Sequence, residues 1–442
     1  MNTRTRRLVA TTSVVALAVL AGACGAGGKD DDDKSGGGSA EVGVTDDSIT
    51  IGGTFPLTGV AAPGYSEIPT GAQAYFDYVN ANGGVNGRKI TFLVKDDGYD
   101  PTKTSSLTDE LVLKDKVFAT LGSLGTPTHN AVVDQLNDDE VPDLFVSSGA
   151  LAWGDDPGSH PFTFGWQPDY EIEGKIIGQW VSENMPDAKV GLFLQDDDFG
   201  ADAEKGVREY IDSQVVETQR YTSGNTDVGP QIAALQASGA DLVLSFSTPA
   251  YTALGQLVSL KLGYTPKWYV SNVGSDPNLV GALLDQFSKG AVPGSASSLN
   301  GVMTSEYIPG IDQPDNPWVQ LWKKVWDQYG KDGELSNYRI YGMSFAYTFV
   351  QALQAAGKDL TRDGLVKAIE DKGADFAGPN LAPYRYSSDS HFGISGMEIV
   401  ELEDGVGKPL TDVLTTDVGD ADIAPDDSGQ ADDAPPASGM PE

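Results

Sequence analysis

Three segments of the chain place glycine and hydroxyl side chains just ahead of a helical pattern. They are Gly122-Ser123-Leu124-Gly125-Thr126-Pro127-Thr128, Ser147-Ser148-Gly149-Ala150 and Ser247-Thr248-Pro249. Such loops can hold a carboxylate without an arginine. Glycine lets a solute approach the backbone, and free N–H groups at helix starts act together with Ser and Thr hydroxyls. Taken singly, each loop could be a plain helix cap. Their recurrence at equivalent places in two halves of the chain points instead to a cleft. Two acidic clusters, Asp96-Asp97 and Asp196-Asp197-Asp198, also follow strand patterns. Neither has the spaced oxygens, turn glycine and distal glutamate of a calcium loop, so they read as helix caps or solvated loops and no metal is expected. His129, His160 and His391 are far apart. A Walker loop, G-x-G-x-x-G, G-x-S-x-G and H-E-x-x-H are all missing, so neither an enzyme nor a cofactor is expected.

The elements that must position these loops alternate between strand and helix patterns. Strand 48–53 is followed by helix 70–81, where Ala72, Phe76 and Val79 share one face and Gly83-Gly84 ends it. Then come strand 89–94, helix 103–113, strand 117–121, helix 129–136 and strand 143–146. The pattern restarts with helix 171–183, strand 190–194, helix 201–213, strand 215–221, helix 228–237, strand 241–246, helix 250–262, strand 268–270 and helix 277–287. Three further helices, 316–329, 340–356 and 361–371, precede strands within 384–402. Repeated β-α-β units imply an α/β fold with parallel sheets in two lobes.

The ends read differently. Arg4, Arg6 and Arg7 precede an apolar run that closes Leu20-Ala21-Gly22-Ala23-Cys24. Residues 1–23 therefore read as a secretory signal, and Cys24 as a lipidated first mature residue similar to that of a bacterial lipobox. The leucine stands four places before the cysteine, where three is usual. At about 13 residues the run is shorter than the roughly 20 that a spanning helix needs. Residues 24–46, which include Lys29-Asp30-Asp31-Asp32-Asp33-Lys34, read as a flexible linker. Residues 417–442 are rich in Asp, Ala and Pro, and are expected to be a disordered acidic tail. The formal charge is −35 and becomes more negative when the leader is removed. A surface this acidic repels nucleic acid and gains nothing from anionic lipid, so any membrane contact is through the lipid anchor. Cys24 is the only cysteine, so no disulfide framework or cysteine–zinc site is possible.

An ordered series of motifs carries a resemblance. It runs Gly53-Thr54-Phe55-Pro56-Leu57-Thr58-Gly59, Gly71-Ala72-Gln73-Ala74-Tyr75-Phe76, Asn80-Ala81-Asn82-Gly83-Gly84-Val85-Asn86-Gly87-Arg88, Asp96-Asp97 and Asp100-Pro101. Gly122-Ser123 with Thr126, the 145–149 loop and the 190–200 segment agree with it. The chain resembles the substrate-binding proteins of branched-chain and hydrophobic amino-acid ABC importers. The resemblance implies two Rossmann-like lobes joined by three crossovers near 162–167, 298–303 and 376–382. Lobe 1 is then 47–164 plus 302–378, and lobe 2 is 165–301 plus 379–416. A monomer is expected that closes on a small solute by hinge motion and presents the closed form to a permease and ATPase complex.

The resemblance also assigns site residues. The hydroxyl that holds a ligand carboxylate falls on Thr126, next to Ser123. Backbone groups come from Ser148-Gly149, and a second hydroxyl position falls on Leu151, which has none. An aromatic lid falls on Phe199, and Tyr65 lies near another aromatic position. Thr248 belongs to the second-lobe loop. The acid that pairs with a ligand ammonium falls near Val273, in Ser271-Asn272-Val273-Gly274, where there is no acid; Asn272 is a ligand-binding candidate, and Asp276 is close but off register. A buried ammonium without an acid is costly, so an amino acid is disfavoured. Trp153-Gly154-Asp155 and Gly165-Trp166-Gln167-Pro168 with Tyr170 resemble a subgroup that includes binders of aromatic carboxylates. A sensor ectodomain of the same fold and an exported α/β hydrolase are the competing readings.

Overall fold

The computed structural model describes residues 41–441. Cys24 and the leader lie outside the described residues. Two sheets organise the chain. The first has the order β2-β1-β3-β4-β5, with β1 Ser48–Phe55, β2 Lys89–Asp96, β3 Thr120–Leu121, β4 Asp143–Val146 and β5 Thr163–Gly165, all parallel. The second contains β6 Val190–Gln195, β7 Val215–Tyr221, β8 Leu242–Phe246, β9 Lys267–Val270 and β10 Met303–Glu306 in parallel. The later strands β11 Gly396–Glu403, β12 Val406–Pro409, β13 Leu414–Thr415 and β14 Ala424–Pro425 are antiparallel. Strands β4, β6 and β8 are buried along their whole length, as expected when helices cover both faces of a parallel sheet.

Aspartates start several of the helices between strands. Asp100 caps Pro101–Asp109, Asp169 caps Tyr170–Asn184, Asp197 caps Asp198–Ile211 and Asp276 caps Pro277–Ser288. Each side chain accepts backbone N–H groups that would otherwise lack a partner. The long helix Asn337–Ala356 packs on Ile68–Ala81 through paired glycines. A Cβ at Gly71 would lie 2.2 Å from the Arg339 carbonyl oxygen, and one at Gly342 would lie 2.0 Å from that of Ile68.

Five expectations change. Met303 pairs with Tyr269 in parallel and with Glu401 antiparallel, so β10 belongs to the second sheet, and the second crossing comes after Glu306 instead of near 298–303. Residues 379–395 do not all lie in the second lobe. His391 stacks on Phe164, Tyr386 meets the same ring edge-on, and the Gly165 N–H donates to the His391 carbonyl oxygen at 3.1 Å. Only Gly396–Glu403 of the expected 384–402 strand region forms a strand in the second sheet. The tail 417–441 is ordered against the body. Lys175 donates to the carbonyl oxygens of Asp417, Gly419 and Ala421, and Trp318 Nε1 donates to that of Asp433. Composition misled here because the tail offers main-chain acceptors and the body supplies the donors. The linker's last residues are ordered as well, with Val44 bridged to Ile49.

Candidate functional site

The carboxyl ends of the parallel strands from both sheets face one another, the usual location of a ligand in such folds. Between them lies a cavity of ≈ 180 Å³. From the first lobe it is lined by Tyr65, Tyr99, Thr126 and Gln167, and from the second by Tyr170, Phe199, Thr248 and Asn272. Strand β10, which leads into the second crossing and so forms the hinge wall, and the segments beyond it add Thr304 to Gly310, Asp312 and Tyr338. The 129–136 helix expectation is modified at this point. Gly125, at φ 111°, lets the backbone turn so that Thr126 opens a short helix, Thr126–His129, and a second helix, Val133–Asp138, comes after it.

The first-lobe wall is neutral. Thr126 Oγ1 and Ser148 Oγ lie 2.8 Å apart, and the Tyr170 hydroxyl reaches Ser148 Oγ at 3.5 Å. The Tyr341 hydroxyl donates to Gln167 Oε1 at 3.0 Å. The Tyr170 and Phe199 rings are 4.3 Å apart, and Tyr65 meets Tyr338 edge-on at 5.9 Å. Tyr99 connects this wall to the second lobe by accepting from Gln195 Nε2 at 3.3 Å. Tyr221 donates to Gln195 Oε1 and accepts from the Thr248 N–H.

The expected candidates separate into two groups. Tyr65, Thr126, Phe199, Thr248 and Asn272 line the cavity. Ser123, Ser148, Gly149 and Leu151 are not among its lining residues. Ser123 Oγ accepts from the Thr54 N–H at 3.3 Å, and Ser148 backs Thr126. The Pro168 carbonyl and the Tyr170 ring sit against Gly149, while the Leu151 N–H donates to Asp202 Oδ2 at 2.9 Å. The neighbouring Ser147 reaches the cavity instead.

The expected lack of an acid is overturned. Asp276, Glu306 and Asp312 all line the cavity. Asp276 is engaged, capping Leu279 N–H and accepting from Asn337 Nδ2 at 2.8 Å. Glu306 is different. Burial pushes its carboxyl up to about 8, with Asp312 and Glu398 adding repulsion. Glu398 is its direct cross-strand partner, an unfavourable like-charge pair. Among the described residues no Lys or Arg is ion-paired with Glu306. Thr304 Oγ1, Gln167 Nε2 and Asn272 Nδ2 also line the cavity and are buried with no hydrogen-bond partner among the described residues. Buried polar groups left unpaired in this way are uncommon and mark a place where a polar solute can bind.

Sequence reasoning missed Glu306 because Met303-Thr304-Ser305-Glu306 is too polar to read as a buried strand. It missed Glu173 because its partners are distant in sequence. That buried carboxylate accepts from the Tyr269 hydroxyl at 2.9 Å, Ser271 Oγ at 2.8 Å, Ser305 Oγ at 2.5 Å and the Asn272 N–H at 2.9 Å, so it knits the floor beneath Asn272 and Ser305. Tyr99, by contrast, was within reach, since it follows Asp96-Asp97-Gly98 at a strand end.

Hydrogen bonds join the lobes on either side of the cavity. Asn130 Nδ2 donates to Asp198 Oδ2 at 2.6 Å, the Tyr65 hydroxyl to the Val273 carbonyl oxygen at 3.4 Å, and the Leu151 N–H to Asp202 as above. Burial raises Asp202 to about 7 and Asp197 to about 6. Among the described residues no cluster of His, Cys, Asp and Glu is arranged to hold a metal ion, and no helix is long and apolar enough to cross a membrane.

A family model described as periplasmic binding protein matches residues 48–406. The chain belongs to this family. Its fold is that of a type I periplasmic binding protein, and proteins of this family bind solutes without acting as enzymes. A Leu/Ile/Val-binding protein homolog 1 from Brucella suis biovar 1 is 24% identical over 338 residues, covering 74% of this chain and 83% of the relative. Among solved structures, a branched chain amino acid ABC transporter protein from Thermus thermophilus with bound valine has a TM-score of 0.71 at 20% identity, covering 84% of this chain and 98% of that one. A fatty acid ABC transporter substrate-binding protein from Thermomonospora curvata has a TM-score of 0.71 at 24% identity, covering 85% and 95%. These likenesses establish the two-lobed α/β fold of a periplasmic binding protein.

Proposed function

We propose that this periplasmic binding protein is an extracytoplasmic lipoprotein, anchored through Cys24 to the outer face of the cell membrane. It captures one small, partly apolar organic solute and delivers it, as a monomer, to an ABC permease and ATPase complex. The observation that carries the solute reading is a cavity with three kinds of lining: neutral hydroxyl and amide groups at Thr126 and Gln167, aromatic rings at Tyr65, Tyr99, Tyr170 and Phe199, and an uncompensated acid at Glu306. Thr126 and the unpaired Gln167 amide suit a carboxylate, the rings an apolar side chain, and Glu306 an ammonium. A branched-chain or hydrophobic amino acid uses all three. The ligands named for the Brucella and Thermus relatives agree with that class. An aromatic or branched carboxylate is the alternative, with Glu306 acting as a neutral donor.

A thermal-shift screen pairs each apolar amino acid with its deaminated analogue, leucine with 4-methylpentanoate and phenylalanine with 3-phenylpropanoate. Stabilisation by the amino acids above their analogues is expected. Stabilisation by the analogues alone selects the alternative, and stabilisation only by sugars or acidic amino acids rejects both. Turnover of any bound compound would transfer the protein to the hydrolases. Anchoring is tested by Cys24→Ser, which should move the protein from the membrane fraction to the soluble one.

A further inference from the structure

The C-terminal segment is attached to both lobes. On the second lobe, β13 pairs with β11, and β14 pairs with β13. Lys175, fully buried in the helix Tyr170–Asn184, gives all three ammonium protons to the carbonyl oxygens of Asp417, Gly419 and Ala421, at 2.8, 2.6 and 2.8 Å. Glu171 of the same helix accepts from the Gly419 N–H at 2.8 Å, and Arg385 pairs with Asp417 at 2.7 Å. Beyond β14 the chain leaves that lobe. Gln430 Nε2 reaches the Gly378 carbonyl oxygen, in the connection between the lobes, at 3.5 Å. The segment then docks on first-lobe helices. Trp318 Nε1 donates to the Asp433 carbonyl oxygen at 2.9 Å, the Tyr75 hydroxyl to that of Gly439 at 3.1 Å, Gln354 Nε2 to that of Pro441 at 2.9 Å, and Tyr78 to that of Ser438. Met440 packs against the main core.

We propose that residues 417–441 form a strap across the hinge, a fourth connection that restrains separation of the lobes. Most of its anchors are donors from the body and main-chain acceptors in the strap, so binding depends chiefly on backbone path, with the Asp417 carboxylate on Arg385 a side-chain exception and the Gly419 N–H donating in the other direction. The second-lobe anchor is integral to the fold, because without the 417–421 loop the Lys175 ammonium would be buried with no partner. The first-lobe anchor lies on the other side of the hinge. Any motion that separates β14 from Trp318 must draw out the short stretch between Pro425 and Asp433, whose reach is bounded by about 3.5 Å per residue. The strap therefore biases the equilibrium between open and closed lobes independently of which solute binds.

The first variant loosens the strap without removing either anchor. A flexible Gly/Ser insert of about eight residues is placed between Asp427 and Ser428. A second variant ends at Asp427, which keeps the Lys175 loop and removes the first-lobe anchor. Nitroxides at Asp138→Cys on the first lobe and Ala237→Cys on the second, both exposed, are introduced with Cys24→Ser. Pulsed electron–electron double resonance on ligand-free protein reads the distance between lobes. A longer and broader distribution in the insertion variant than in the parent is expected, with the truncation shifted the same way. A distribution in the insertion variant that coincides with the parent's overturns the strap, whether or not the truncated chain folds.

Discussion

On the first-lobe wall of the cavity, Thr126 is held 2.8 Å from Ser148, and Gln167 accepts from Tyr341, so much of its hydrogen bonding is met inside the fold. On the hinge wall, Glu306 faces Asp312 and Glu398 with no basic ion-pair partner among the described residues. The first wall is organised before a solute arrives and presents no net charge. The second holds a carboxyl whose ionisation is suppressed by burial and by like charges, so a cationic group there would be favoured most strongly. Affinity should therefore be distributed over both walls, while discrimination between charged and neutral solutes should lie on the hinge wall.

The largest effect is expected beneath both walls. Glu173→Ala would strand the Tyr269, Ser271 and Ser305 hydroxyls and the Asn272 N–H, and should cost about 3 kcal/mol or more of stability, read from the urea midpoint. A cost below about 1 kcal/mol would show that the floor is not held by this carboxylate. Next comes Glu306→Gln. It should weaken leucine by about 2 kcal/mol in calorimetry and leave 4-methylpentanoate nearly unchanged. Equal losses for the two ligands would remove the charge-selective role of the hinge wall. Thr126→Ala should cost about 1 to 2 kcal/mol for both ligands alike. An unchanged affinity would take Thr126 out of the site and leave Gln167 as its polar group.

The smallest effect is on pH dependence. Glu306 and Asp202 have folded values of about 8 and about 7, above the ordinary carboxyl range near 4. Between those limits the folded protein binds more protons than the unfolded chain. Their stabilising contribution is complete below about pH 4 and is lost as pH rises through 7 and 8. The melting temperature should fall from pH 5 to pH 9, and Glu306→Gln should flatten the upper part of that slope. A wild-type melting temperature that rises steadily over this range would contradict the burial assigned to both groups.

Local signals made much of the fold legible. Strand β7 spans the expected 215–221, and the 190–194 and 250–262 expectations match β6 and the helix Pro249–Leu262 closely, because alternating apolar runs and capping residues are short-range features. The glycine and hydroxyl loops likewise led to Thr126 and Thr248, since a strand-end loop in a parallel sheet has few other places to face. Ser123, Ser148 and Leu151 missed the cavity because sequence identifies a loop but not which of its side chains turns inward.

By itself, the sequence determined an α/β chain in two halves, the absence of catalytic motifs, the family resemblance and the loops that border a cleft. All of these come from residue type and near-neighbour spacing. Only the tertiary structure decided where acid enters the site and what becomes of the tail. Glu306 reaches the cavity because β10 joins the second sheet, a pairing between segments far apart in sequence. The tail is ordered because Lys175, Trp318 and Tyr75 carry donors that its main chain satisfies, and composition records a segment's own side chains but not the partners waiting for its backbone.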